Sequence, residues 1–413
     1  MLAILLAHAA AAVVAPALVR RWDRRAFPVL ALVPAGSLTW VATNWPTDGY
    51  QARVDVPWVP ELSMDIALRF DPLAAVMSVI VLGVGALVLL YCTEYFHHHD
   101  GRREDRLPSF AAQLVAFAGA MFGLVTADNM LLLYVFWELT TVLSFLLVGH
   151  YAERATSRRA AMQALLVTTA GGLSMLVGII VLGTASGTYL LSELVAAPPT
   201  GIAVNVALAL VLIGAISKSA LVPLHFWLPG AMAAPTPVSA YLHAAAMVKA
   251  GVYLVARLTP GFADAPPWRP TVVVLGSLTL LIAGWRALRE YDLKLVLAYG
   301  TVSQLGMITV MVGTGGGDVM LAGLANEPAF TLAERLAALA PGGLERVFFS
   351  ESGSVAVEIA MKMAVQAWLN RGQPDRTQFV CFKGAYHGDT VGAVSAGHID
   401  LFHKAYSGML FKT

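Results

Sequence analysis

Ser217 to Lys249 reads SKSALVPLHFWLPGAMAAPTPVSAYLHAAAMVK. Lys218 stands near the end of one apolar run. Pro223 and Pro229 break that run, and a second apolar run carries His243 and Lys249. A charged side chain at the centre of a lipid bilayer costs about 2.5–3.5 kcal/mol on insertion scales, so it is seldom kept without a task. A broken helix beside such a charge is the usual surrounding of an ion route.

Outward from that stretch, composition agrees with a membrane setting. The 413 residues are 58% hydrophobic and 13% charged, with a mean hydropathy of +0.69. Soluble domains are nearer a quarter charged. The formal net charge of +1 gives no reason to expect a nucleic-acid partner. Cys92 and Cys381 form neither a disulfide framework nor a metal motif. Residues 1–325 hold 19 Lys+Arg, of which only Lys218, Lys249 and Lys294 are lysines. Arginine supplies the loop charge there, while Lys218 and Lys249 fall inside apolar runs.

A spanning helix needs roughly 20 mostly apolar residues. The sequence predicts an all-α polytopic membrane protein with about ten such helices, near 2–19, 27–44, 73–95, 109–126, 130–149, 160–184, 202–221, 236–258, 270–287 and 293–313. The first has its basic cluster after the apolar run, unlike a signal peptide, and is read as a retained helix. Arginines crowd the loops after the first, third, fifth and ninth spans; the other loops hold only Arg53, Arg69, Arg257 and Arg269. The asymmetry predicts a multi-pass protein of the cell membrane with its N-terminus outside. Residues 50–70 alternate polar and apolar, which suggests a small outside hairpin.

After Val312 the character changes. GTGGGD reads as a flexible joint, and residues 326–413 hold 8 basic and 8 acidic side chains. Asn326–Ala340 and Ser354–Leu369 have helical apolar spacing. Arg346–Ser350 and Gln378–Lys383 read as strands. The order predicts a short soluble α/β fragment.

The polar residues of the spans suggest chemistry. Glu138 sits mid-span in LLLYVFWELTTVLSF, and His225 follows the Pro223 break. A buried carboxylate and a buried lysine lower each other's cost. If the pair opens, the lysine can release a proton, with histidines as relays. The alternatives are a structural ion pair that fixes helix packing, a histidine bonded to a neighbouring hydroxyl or carbonyl, and a simple proline kink.

Residues 217–257, with FWELT and YDLKLVLAYGTVSQLG, resemble the antiporter-like subunits of respiratory complex I and of Mrp-type sodium/proton antiporters. HFWLPGAM and a lysine at 249 look closer to the Mrp A branch, and the resemblance covers about residues 1–324. It implies a proton path through Glu138, Lys218, His225, His243 and Lys249, with the helix break at Pro223 and Pro229. It implies partner subunits, a lipid bilayer, protons as cargo with Na+ as a second candidate, and no resident cofactor or metal. Leu221 departs from the family's usual glutamine. By analogy residues 1–108 hold the first three spans and the hairpin, 109–259 the first five-helix repeat, and 260–324 the opening of a truncated second repeat. Enzymatic activity would follow only from membership of complex I, as an NADH-quinone oxidoreductase. The remaining alternative is a non-transporting assembly role among partner subunits.

Residues 325–413 resemble a fragment of the class III pyridoxal-phosphate aminotransferases, most of all the branch that makes diaminopelargonate in biotin synthesis with S-adenosylmethionine as amino donor. The resemblance rests on NEPAFTLAERLAALAPGGLERVFF, Ser350–Glu358 and Gly384–Thr390. It implies that Gly353 and Ser354 hold the cofactor phosphate, with Tyr386 on the pyridine ring and His387 beside it. The family's Schiff-base lysine and its acidic partner lie farther downstream than Thr413. The tail is therefore expected to lack transaminase activity and to fold poorly. A join of two unrelated reading frames, by rearrangement or in sequence assembly, is expected near 315–326.

Overall fold

The computed structural model describes residues 1–46, 52–96, 106–314, 327–340, 342–343, 346–347, 353–397, 399 and 404–410. The expected joint from Gly315 to Asn326, the loop arginines Arg102 and Arg103, and Phe348–Ser350 lie outside them. The chain divides into two compact units, Met1–Asn326 and Glu327–Thr413.

Unit 1 opens with α1 (Leu2–Trp22) and α2 (Phe27–Thr43), joined by the 3-10 turn Asp23–Ala26. Strands β1 (Ala52–Val59) and β2 (Met64–Phe70) then form the expected hairpin, antiparallel from Ala52↔Phe70 to Val56↔Ile66. The register slips between Val56 and Val59, where Pro57 has no N–H to give to the ladder. Asp71 ends the hairpin and caps α3 (Pro72–Tyr95): its carboxylate accepts from Ala74 N, and Pro72 takes the first helical position, where no donor is needed.

Next come α4 (Leu107–Thr126), α5 (Met130–Val148), α6 (Ala155–Ser186), α7 (Leu191–Ala196) and α8 (Ile202–Lys218). α4 packs against α1, α3 and α5 and is the most buried span. α6 packs along α8 at glycines. A Cβ on Gly171 would overlap Ser217, and one on Gly178 would lie 2.6 Å from Ala207 O.

α8 stops at Lys218, short of the expected 221 and five residues before Pro223. The stop is a Schellman cap: Leu221 N donates to Ile216 O at 3.0 Å and Ala220 N to Ser217 O at 3.4 Å. Ala220 takes the left-handed position, φ 50°, that glycine would fill at less cost. After a 3-10 turn (Leu224–Phe226) the backbone forms α9 (Trp227–Ala231) and α10 (Thr236–Val238), then a π-helical segment, Ser239–Ala245. The expected single span over 236–258 is thus split, and α11 (Lys249–Phe262) starts anew. α12 (Trp268–Ala287) and α13 (Leu293–Gly313) pack together and close the unit.

Among the described residues, seven helical stretches are long and apolar enough to cross a membrane. The run Leu2–Thr43 counts among them as one piece because only the short turn interrupts it, and Ile202–Lys218 is a shorter apolar helix. The protein is a mostly helical, multi-pass membrane protein with a two-stranded sheet.

Unit 2 contains α14 (Glu327–Leu339), α15 (Gly353–Asn370) and α16 (Val391–Ser395). The predicted strand at Gln378–Lys383 is not formed: its backbone is irregular, with Val380 99% and Phe382 83% exposed. Arg346 and Val347, the described part of the other expected strand, are likewise irregular. A strand is held by a neighbouring edge, and the described tail supplies none. In place of an α/β fragment, the described tail is helical.

Candidate functional site

Three consecutive residues at the end of α8 organise the interior. Lys218 is fully buried. Its Nζ donates to Trp137 O at 2.6 Å, Thr140 Oγ1 at 2.6 Å and Thr141 Oγ1 at 2.9 Å, all on α5. An ammonium has three N–H donors, and these acceptors engage all of them. The two threonines in turn donate to Trp137 O, and the Trp137 ring lies 4.8 Å from the ammonium. Before Lys218, Ser217 O accepts from Trp227 Nε1 at 2.9 Å, and the Trp227 ring meets His243 edge-on at 6.1 Å. After it, Ser219 Oγ donates to Val248 O at 2.6 Å and accepts from Val252 N at 3.1 Å, across the start of α11. α8 thus ends on one link toward His243 and another toward Lys249.

Glu138 follows Trp137 on α5, half-buried, with Oε1 enclosed and without a hydrogen-bond partner. It lies against Gly172 of α6, where a Cβ would overlap Oε1. Among the described residues, no ion pair within 4.0 Å joins Glu138 to Lys218. The lysine rests on carbonyl and hydroxyl oxygens, with the carboxylate on the same helix but out of contact. Trp137 Nε1, Ser239 Oγ, His225 Nδ1 and both ring nitrogens of His243 are also buried without partners. Each such group costs about 1–3 kcal/mol if left unsatisfied, and polar interiors of this kind are where bound water sits.

His243 is 2% exposed and lies in the π-helical segment. Ala246 N and Met247 N bond five residues back, and the chain breaks before Lys249, a half-buried residue at the first position of α11. His225 is in the 3-10 turn after Pro223, and Pro229 is inside α9. The sequence placed His243 and Lys249 on one continuous helix; the structure puts a break between them.

A second polar cluster was not singled out in the sequence. Arg257 on α11 pairs with Asp71 through both oxygens: Nη2 reaches Oδ1 at 2.8 Å, and Nη1 bonds Oδ2. Arg69 Nε meets Asp71 Oδ2 at 3.0 Å, and Arg69 Nη1 lies 3.8 Å from Asp128. Asp128 accepts from Ser192 N and Oγ. Arg257 Nε donates to Tyr253 OH, which donates to Val125 O. Burial pushes the Asp71 carboxyl upward, but the Arg257 contact and charge, the Ala74 N–H and Arg69 outweigh it and hold it below the usual carboxylate range. The signal was legible only in part: Asp71 before Pro72 is an N-cap pattern, but Arg257 reads as loop charge. Lys294, at the start of α13, donates to Met232 O and Ala234 O in the broken segment.

In unit 2, Gly353 and Ser354 open α15. Ser354 Oγ donates to Thr390 Oγ1 and accepts from Thr390 N, both at 2.9 Å. Gly388, at φ 110°, packs on Ser354 where a Cβ would overlap it. Tyr386 is 51% exposed and His387 half-buried. The serine hydroxyl is committed to Thr390 and the tyrosine ring is open on the surface.

The family model for the NADH:quinone oxidoreductase/Mrp antiporter transmembrane region matches residues 127–326. That for the N-terminus of complex I chain 5 matches 57–104, and that for class-III aminotransferases matches 317–411. The chain is 44% identical over 293 residues to the A/B subunit of a probable K(+)/H(+) antiporter of Rhizobium meliloti (strain 1021), covering 70% of this chain and 28% of that one. It is 42% identical over 286 residues to the A subunit of the Na(+)/H(+) antiporter of Alkalihalophilus pseudofirmus, covering 67% and 34%. In the Mrp complex from Dietzia sp. DQ12-45-1b, one chain matches with TM-score 0.70 and 36% identity, over 76% of this chain and 34% of that chain. This chain therefore spans about a third of the length of these relatives. Its membrane part belongs to the Mrp antiporter/complex I membrane subunit family and is similar to A subunits of these antiporters, while residues 317–411 match the class-III aminotransferase family.

Proposed function

We propose that unit 1 is a proton-conducting subunit of a multisubunit cation/proton antiporter, with Glu138, Lys218, His225, His243 and Lys249 on the path. The observation that carries this is Lys218, a fully buried ammonium held by three neutral oxygens and by no carboxylate. Dipoles are its direct partners, with the Glu138 carboxylate acting on it through space, and a proton leaving it leaves a neutral amine in the same cradle. Glu138 Oε1 and the His243 nitrogens are enclosed and unsatisfied on either side, as stations that exchange protons through water would be. Trp227 and Ser219 hold the route's later parts against the end of α8. The breaks after Lys218 and before Lys249 supply irregular backbone of the sort that lines polar cavities in membranes.

Counting α1 and α2 separately, and adding α8 and the broken helix through α11, gives the ten-span reading. The loop arginines favour an N-terminus outside the cell. Partner subunits and the transported cation are proposed from the relatives, which are subunits of multisubunit antiporters by their names. Everted vesicles from cells expressing the chain should lose about a hundredfold of their cation-driven proton flux on Glu138→Gln or Lys218→Met, the scale of a removed proton-transfer group. Unchanged flux in both variants would sink the reading. The aminotransferase match on the tail supports a fragment of that family, in which the Ser354 hydroxyl is bonded to Thr390.

A further inference from the structure

A cleft of about 340 Å³ opens where α4 and α6 begin and α5 ends. Its lining divides by chemistry. Arg106 and Arg158 supply its charge; Phe145, Leu146, Ala161 and Met162 supply its apolar surface. Arg106 Nη1 donates to His150 O at 3.4 Å, and its carboxylate neighbour among the described residues, Glu153, is 3.8 Å away and 73% exposed. Arg158 Nη1 donates to Ala152 O and Glu153 O, both neutral carbonyls. Among the described residues, these contacts leave most of ten guanidinium N–H donors unused. Among the described residues that line the cleft, two are arginines and none is a carboxylate.

The apolar side continues along the span. Leu146 is 41% exposed, and Val142 one turn deeper on α5 is 49% exposed; Met162 is 47% and Leu166 one turn on along α6 is 62% exposed. α5 and α6 pack together, and both carry exposed apolar residues from the cleft toward the bilayer centre. Two guanidinium groups in a cleft at the end of a span, beside exposed apolar residues of two packed spans, match a molecule with an anionic phosphate at one end and hydrocarbon at the other. Guanidinium groups bind phosphate oxygens through paired N–H donors.

We propose that this cleft is a binding site for an anionic phospholipid, with the headgroup phosphate between Arg106 and Arg158 and an acyl chain between α5 and α6. The proposal is independent of the proton path. A free phosphate shares the headgroup chemistry but makes no use of the apolar wall, and a zwitterionic lipid leaves the positive charge unbalanced.

The full chain, purified in detergent and exposed to phosphatidylglycerol or phosphatidylcholine, should retain phosphatidylglycerol preferentially in native mass spectra. Arg106→Gln and Arg158→Gln should each weaken that retention about fivefold, the share of one basic group near an anionic lipid surface. Met162→Trp, which fills the cleft without altering charge, should weaken it too, and covers the case in which an arginine variant fails to fold. Equal retention of the two lipids by the wild-type chain would overturn the proposal. So would displacement by millimolar inorganic phosphate alone, which would mark a free-anion site. Full retention in Met162→Trp would place the lipid elsewhere and also overturn it.

Discussion

Asp71 carries two duties at once. It caps α3 and holds Arg257, so its charge matters to a helix start and to a tertiary contact. Its carboxyl titrates lower folded than unfolded. The stability it contributes is therefore full above the ordinary aspartate value of about 4 and is lost as pH falls below that value toward the folded one. Asp71→Asn should lower the thermal stability of the purified chain at pH 7 by about 3 kcal/mol, as removing one partner of a buried pair does. It should also flatten the loss that the wild type shows below about pH 4. A wild-type unfolding midpoint indifferent to pH between 3 and 7 would contradict this. Lys218 was legible in the sequence because a lysine inside an apolar run has no cheap explanation. Its acceptors Thr140 and Thr141 were not, because threonine is common in spans and only the approach of α8 to α5 gives these two a role. The Asp71–Arg257 pair was hidden by separation: the partners are 186 positions apart, and each alone has an ordinary reading.

At the level of elements, periodicity and length placed most helices within a few residues, since a long apolar run bounded by arginine has few alternatives. The ends were harder. Proline suggested where α8 should stop, but the chain stops earlier by a Schellman cap whose left-handed residue is alanine, a residue that gives no signal for it. The π-helical segment is equally silent, because an extra residue per turn leaves an apolar sequence looking unchanged. Contact between α6 and α8 depends on missing side chains. Gly171→Ala should destabilise unit 1 by about 1–3 kcal/mol, because the new methyl meets Ser217 and the Ile213 carbonyl and forces the helices apart. Gly36→Ala on α2, with nothing within 4 Å, should be neutral or stabilising by up to about 1 kcal/mol. Thermal unfolding of the two variants side by side tests the contrast, and equal shifts would refute the packing argument.

For the whole molecule, the continuous hydrophobic core is drawn from unit 1 and reaches no farther than Val312. α15 has no buried residue, and Leu332, Leu336 and Leu339 of α14 are 41–83% exposed. A chain ending at Asn326 should keep the thermal midpoint of unit 1 within a few degrees, measured by near-UV circular dichroism in detergent. A loss of cooperative unfolding would show that the core needs the tail. The strand expected at Gln378–Lys383 did not form for a reason the local sequence does not contain: among the described residues of the tail there is no sheet to join. The π-helical turn at Ser239–Ala245 gives the chain an uneven tolerance to changes of length. Removing one residue within it would let the turn relax to ordinary α-helix and leave Arg257 over Asp71. The same deletion between Lys249 and Arg257 would swing the guanidinium about 100° around the helix axis and off its carboxylate. Single-residue gaps should thus be admitted just before α11 and excluded within it.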